Sequence, residues 1–132
     1  TSPVQVRSRH RLAGVARNHP ALDLLVLYGS RARGDAGPGS DWDLAYLAGP
    51  AFDAAAFAAD LVSALETEDV DVADLARSSG QLRYRVAVDG VALFEARQGA
   101  FEAFRLEAVL YWCDMQGVIR AEYEAALVRV AP

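Results

Sequence analysis

The sequence has no lysine, so all 13 of its basic residues are arginine. That absence excludes a covalent lysyl-AMP intermediate, a Schiff base and a P-loop lysine. Any polyphosphate the chain binds is left to arginine, backbone N–H groups and metal. Cysteine is nearly absent as well. Cys113 stands alone, which excludes an internal disulfide and a cysteine-based zinc cluster and points to a reducing, cytoplasmic setting. Histidine occurs at His10 and His19 only. His10 lies in the basic stretch Arg7-Ser8-Arg9-His10-Arg11, His19 precedes Pro20, and neither has a partner at metal-ligand spacing, so no catalytic role is expected of them. No apolar run approaches the ~20 residues that span a bilayer. The start, Thr1-Ser2-Pro3, has no charged region followed by an apolar run, so no signal peptide is expected. It also lacks Met, as a processed or trimmed start would.

The net charge is −5, which argues against a nucleic-acid backbone as the main partner. With 132 residues, 53% hydrophobic and 23% charged, the chain reads as one globular domain, 1–132.

Periodicity divides the chain into alternating elements. Val6, Leu12, Val15 and Ala16 recur at helical spacing, predicting a helix over 5–18 that Asn18-His19-Pro20 ends. Leu22 to Tyr28 reads as a buried strand. Gly29 to Ser40 is a loop, with one helical turn at Ser30–Arg33. A second strand runs from Trp42 to Leu47 and closes at Gly49-Pro50. An Ala-rich amphipathic helix covers Ala51 to Thr67. A third strand spans Val70 to Leu75. Ser79 is a plausible N-cap for a short helix to about Val88. Asp89-Gly90 is a turn, Val91 to Glu95 a fourth strand, and Gly99 to Val130 one long helical pattern. Alternating strands and helices predict an α/β sheet with helices packed on it.

The chemistry concentrates in residues 29–43. Gly29, directly after an apolar strand, lets the backbone turn at positive φ and lets a ligand come close. If Ser30 opens a helical turn, its N–H groups face the loop as an anion site. On its own, Gly-Ser is an ordinary strand-to-helix turn. Ten residues later comes Asp41-Trp42-Asp43-Leu44. Residues i and i+2 of a strand share a face, so both carboxylates point the same way with Cα atoms about 7 Å apart. Like charges that close raise each other's pKa, and a hard Mg²⁺ between them removes the penalty. An isolated Asp-x-Asp is more often a solvated strand edge, with Asp41 as a turn residue. A third carboxylate is offered by Asp69 or Asp71. Asp71 lies deeper in its strand and is preferred, whereas Asp69 adjoins the acidic Glu66-Thr67-Glu68 as a solvated turn. Asp74 falls on the opposite face by period-2 counting.

These parts suit nucleotidyl transfer, in which an acceptor hydroxyl displaces pyrophosphate from the α-phosphorus of a nucleoside triphosphate. Two Mg²⁺ ions about 3.5–4 Å apart activate the acceptor and stabilise the leaving oxygen. On this expectation Asp41 and Asp43 hold both ions, and Asp71 binds the one nearer the acceptor. Gly29 and Ser30 hold the β- and γ-phosphates, and Arg31 and Arg33 add charge there or are surface arginines.

Leu27-Tyr28-Gly29-Ser30-Arg31-Ala32-Arg33-Gly34, Ser40-Asp41-Trp42-Asp43-Leu44 and Val70-Asp71-Val72-Ala73-Asp74-Leu75 together resemble the minimal nucleotidyltransferase (MNT) family of the DNA polymerase β-like superfamily. Val88-Asp89-Gly90-Val91-Ala92-Leu93-Phe94-Glu95 is similar to that family's closing turn and strand. The likeness covers about residues 22–95. It implies a small mixed sheet backed by helices, with the long C-terminal helix added, and ATP as substrate. It also implies a partner, because many members this short are antitoxins that transfer AMP to a tyrosine of a HEPN-domain ribonuclease toxin. Two other outcomes stay open: transfer to a small molecule of the aminoglycoside type, and a non-enzymatic antitoxin that occludes its toxin.

The last helix carries Phe101, Phe104, Ala108, Tyr111, Met115, Val118, Ile119, Tyr123, Ala126, Leu127 and Val130 at three- and four-residue steps. About 30 residues at ~1.5 Å each give ~45 Å, longer than a small domain is wide. The helix is either core-facing with Gly117 as a break, or its distal half binds a partner or another copy.

Overall fold

The computed structural model describes residues 3–130; Thr1, Ser2, Ala131 and Pro132, at the ends of the expected 1–132 domain, lie outside the described residues. The elements in order are α1 (Pro3–Arg17), β1 (Leu22–Tyr28), α2 (Ser30–Arg33), β2 (Trp42–Ala48), α3 (Ala54–Leu65), β3 (Val70–Asp74), a 3₁₀ turn (Leu75–Arg77), α4 (Gly80–Asp89), β4 (Val91–Glu95) and α5 (Ala100–Val130). The strands form a four-stranded mixed sheet in the order β3-β2-β1-β4. β1 is antiparallel to both β2 and β4, while β2 and β3 are parallel, as a helical crossover through α3 requires.

β1 is one of the two interior strands, and both apolar layers draw on it. Leu22, Leu25 and Leu27 join Trp42, Leu44, Tyr46, Phe57 and Leu61 on one side, beneath α1 and α3. Leu24, Val26 and Tyr28 join Ala45, Val86, Phe101, Phe104 and Ala108 on the other, beneath α4 and α5. A strand buried on both faces has to be apolar throughout, and Leu22–Tyr28 is so except at the exposed Asp23. Such burial stabilises by about 25 cal/mol per Å² of apolar surface.

Side-chain caps explain where the observed ends differ from the predicted ones. α3 starts at Ala54 rather than Ala51 because Asp53 caps it, its carboxylate accepting from the Ala56 N–H at 3.0 Å. It stops at Leu65, where Glu66 turns left-handed at φ 56°. β3 ends at Asp74, whose carboxylate accepts from the Ala76 N–H at 3.0 Å and starts the 3₁₀ turn. Ser79 caps α4 as expected, accepting from the Leu82 N–H at 3.2 Å.

α5 runs through Gly117 without a break. Its first turns bury Phe101, Phe104 and Ala108, and Trp112 stacks on Tyr84 of α4 with centroids 5.6 Å apart. Beyond that contact Met115, Val118, Ile119, Tyr123 and Leu127 are exposed. Among the described residues no helix is long and apolar enough to cross a membrane.

Candidate active site

The strand register ends an apolar sheet face in a polar row. Leu24, Val26 and Ala45 lie under α4 and α5. At the edge of that cover Tyr28 pairs with Asp43 across β1 and β2, and Asp43 pairs with Asp71 across β2 and β3. Neighbouring strands are about 4.8 Å apart, so the carboxylates of Asp43 and Asp71 emerge side by side. Asp41 precedes β2 by one residue. Asp41 and Asp71 are exposed, while Asp43 is half-buried.

Electrostatics at this row are unfavourable as it stands. Burial pushes the Asp43 carboxyl above the usual carboxylate range; the charge of Asp71 and then that of Asp41 push the same way, and Arg85 and Arg33 oppose them. Burial also raises the Tyr28 phenol, again reinforced by Asp43 and Asp71. A cation placed here would relieve this repulsion. Mg²⁺ suits the donor chemistry, since it takes one or two carboxylates and completes its shell with phosphate oxygens and water. Among the described residues no three acidic, histidine or cysteine side chains already surround a common point. Part of any metal's ligand set would therefore come from substrate and water.

The loop meets this row directly. Gly29 has φ 76°, and a Cβ built on it would overlap the Asp43 carboxylate. Its carbonyl accepts from the N–H groups of Ala32 and Arg33, both at 3.1 Å, which winds Ser30–Arg33 into the expected turn. Gly34, at φ 86°, ends that turn. Gly29, Ser30, Asp41, Asp43 and Asp71 are thus gathered at one end of the sheet.

The two loop arginines part company. Arg31 lies over the Trp42 ring, 4.2 Å from its centroid. It donates to the Ser40 carbonyl through Nη2 at 2.7 Å and Nε at 3.2 Å. Trp42 belongs to the α1/α3 side, so Arg31 clasps the loop on the face away from Asp43. Arg33 stays on the acid side, pairing with Asp35 at 3.3 Å and with Asp89 of α4 at 3.4 Å. Asp69 likewise falls on the far side. It lines a cavity of about 530 Å³ together with Arg31, Trp42 and Leu65, and its carbonyl accepts from the Trp42 N–H at 2.9 Å. Asp74 pairs in register with Tyr46 on that same side.

Sequence reasoning missed Tyr28, Arg85 and Asp89. Tyr28 adjoins Gly29 and reads as the last apolar residue of a strand; only the β1–β2 register sets it beside Asp43. Arg85 and Asp89 come to the row because α4 packs back over β1, a tertiary fact. The one available signal was the lack of lysine, which makes every arginine near the motif a candidate.

The chain is similar to known proteins over most of its length. The family model for polymerase β nucleotidyltransferases matches residues 10–99. The protein adenylyltransferase MntA of Shewanella oneidensis is 32% identical over 117 residues, covering 86% of this chain and 83% of the relative. A crystal structure of a toxin–antitoxin pair with AMP-PNP superposes with a TM-score of 0.73 at 28% identity, covering 90% of this chain and 98% of the other. A tri-AMPylated Shewanella oneidensis HEPN toxin in complex with its MNT antitoxin gives a TM-score of 0.70 at 28% identity, over 93% of this chain and 98% of the other.

Proposed function

The chain belongs to the polymerase β nucleotidyltransferase family, and from that membership we propose that it transfers AMP from ATP to a tyrosine of a HEPN ribonuclease toxin and so silences it. The observation that carries this reading is the contact between the phosphate-binding turn and the acid row: Gly29 is packed against Asp43, and Asp71 stands in register beside it. The relatives named above, an adenylyltransferase and an antitoxin held to an AMPylated HEPN toxin, supply the acceptor class.

Each residue has a task in this reading. Gly29 lets the triphosphate approach the backbone, and Ser30 offers its N–H and hydroxyl to the β- and γ-phosphates. Asp41, Asp43 and Asp71 are the carboxylates that would hold Mg²⁺, which would supply charge neutralisation for the polyphosphate and for the leaving pyrophosphate. Asp71, exposed on the edge strand β3, is open to an incoming tyrosine and would accept its proton. The acceptor oxygen then bonds to the α-phosphorus as the bond to pyrophosphate breaks.

An open site suits a protein acceptor, because a docked partner brings the missing wall and makes the transfer effectively unimolecular. The net charge of −5 complements a basic, RNA-binding toxin. A cytoplasmic setting, where ATP is abundant, fits the exposed and unpaired Cys113.

The test is co-expression with the HEPN partner followed by intact-mass analysis. The partner should carry one or more AMP groups, and none when Asp41 and Asp43 are both replaced by Asn. A partner that stays unmodified yet is inhibited equally by both forms would replace transfer with occlusion.

A further inference from the structure

We propose that Arg85 binds the triphosphate of the nucleotide, filling from α4 the role that lysine cannot fill in this chain. The inference deepens the nucleotidyltransferase reading and rests on it.

The placement of α4 carries the argument. Val86 and Ala87 are buried in the layer that also contains Val26 and Tyr28, so α4 lies along β1 up to the polar row. Arg85 and Asp89 are one turn apart and share a face of the helix. Asp89 reaches Arg33 of the phosphate-binding turn at 3.4 Å. The face of α4 that bears Arg85 therefore borders the loop Gly29–Arg33, and the Arg85 charge is felt at both Asp43 and Tyr28.

Arg85 is also the cation left available there. Arg31 is held by Ser40 and Trp42, and Arg33 by Asp35 and Asp89. Arg83 binds the Leu75 carbonyl and Glu107, and Arg105 the Ala87 carbonyl and Glu102. Arg77 pairs with Asp74 on the opposite side of the sheet. Arg85 is exposed and makes no hydrogen bond or ion pair among the described residues. The remaining arginines lie on α1, after β4 or on the distal half of α5. A guanidinium whose charge is felt at the Asp43 carboxylate, and which forms no ion pair of its own, can take a phosphate, an anion it grips bidentately.

Calorimetric titration of ATP and of adenosine, each with Mg²⁺, into wild type, Arg85→Ala and Arg85→Lys decides the matter. Arg85→Ala should lose about tenfold or more in ATP affinity, with adenosine affinity unchanged and Arg85→Lys between the two. The melting temperature without ligand should change by no more than about 2 °C, because the side chain is exposed and only its charge, felt at Asp43, is lost. If Arg85 only screened the carboxylates, its removal would strengthen cation binding. ATP affinity in Arg85→Ala equal to or above wild type therefore overturns the proposal. A wild-type protein that binds no ATP overturns the nucleotidyltransferase reading itself, and the wild-type titration shows that separately.

Discussion

Gly29 is packed against Asp43 so closely that no side chain fits between them: at φ 76°, a Cβ would overlap the carboxylate oxygen. The contact couples the turn to the acid row, so one substitution perturbs both. Gly29→Ala should cost about 1–3 kcal/mol in urea unfolding through backbone strain and displacement of Asp43, and should abolish ATP binding. Gly34→Ala is the control. Its φ is 86°, but nothing lies within 4 Å of the added methyl, so it should carry the strain alone and keep ATP binding. Equal loss of binding in both variants would mean that turn geometry, not the Asp43 contact, is what matters.

Asp43 predicts a pH dependence with a definite sign. Its carboxyl titrates above the usual range because of burial, then Asp71 and Asp41. A group whose folded pKa is raised binds its proton more tightly in the folded state. The stability of the unliganded protein therefore falls as pH rises from the ordinary carboxylate value through the raised one, and stays lower at neutral pH. In EDTA at pH 7, Asp43→Asn should melt higher than wild type by about 2 °C, as expected for relief of a like-charge interaction on the order of 0.5 kcal/mol. With Mg²⁺ and ATP the order should reverse, because the variant loses the ligand-linked gain. A variant that melts lower in EDTA would show that Asp43 is stabilised, not strained, by its neighbours.

Much of this was legible without coordinates. β1 and β4 fall where apolar runs predict them, and α2 where Gly29-Ser30 starts a turn, because those signals are local: a strand buried on both faces has no room for polar residues, and a turn needs its glycine. The start of α3 after Asp53 and the end of β3 at Asp74 differ from the expected Ala51 and Leu75, because capping by a single carboxylate competes with an otherwise continuous pattern. Depth in the strand favours Asp71 over Asp69, and the parallel register with β2 sets Asp71 opposite Asp43, which strand depth alone does not show. The two different faces taken by Arg31 and Arg33 could not be read at all. Two arginines two residues apart look alike until Trp42 and Asp89 are placed in space.

Asp71 and Asp69 separate register from proximity in sequence. Asp71 is paired with Asp43, whereas Asp69 lines the cavity beside Trp42. If Asp71 takes the acceptor's proton, Asp71→Ala should slow AMP transfer by about 10²-fold or more while leaving most ATP affinity, which the proposed reading assigns to the loop, Arg85, Asp41 and Asp43. Asp69→Ala should leave transfer near wild type. Quantifying labelled AMP on the partner against time gives both rates, and loss of transfer in Asp69→Ala alone would shift the assignment by two residues.

Arg31 and Arg33 provide the sharpest contrast between holding the loop and facing the substrate. The Arg31 guanidinium combines a ring contact with Trp42 and two hydrogen bonds to one carbonyl of Ser40, and its own carbonyl accepts from Gln5 at 2.7 Å and Arg9 at 3.3 Å. Losing that side chain should cost about 1–3 kcal/mol. Lysine should restore little of it, because an ammonium lacks the planar fork that stacks and donates together. Arg33 is exposed and its pairs with Asp35 and Asp89 are solvated, so Arg33→Ala should leave the melting temperature unchanged. Its charge nonetheless counters those of the acid row at Asp43. Its loss should therefore show in the salt dependence of ATP binding, where one positive charge fewer flattens the slope. Parallel thermal melts and ATP titrations at low and high salt measure both. An Arg31→Ala variant as stable as wild type, or an Arg33→Ala variant with an unchanged salt slope, would show that the clasp or the charge has been assigned to the wrong arginine.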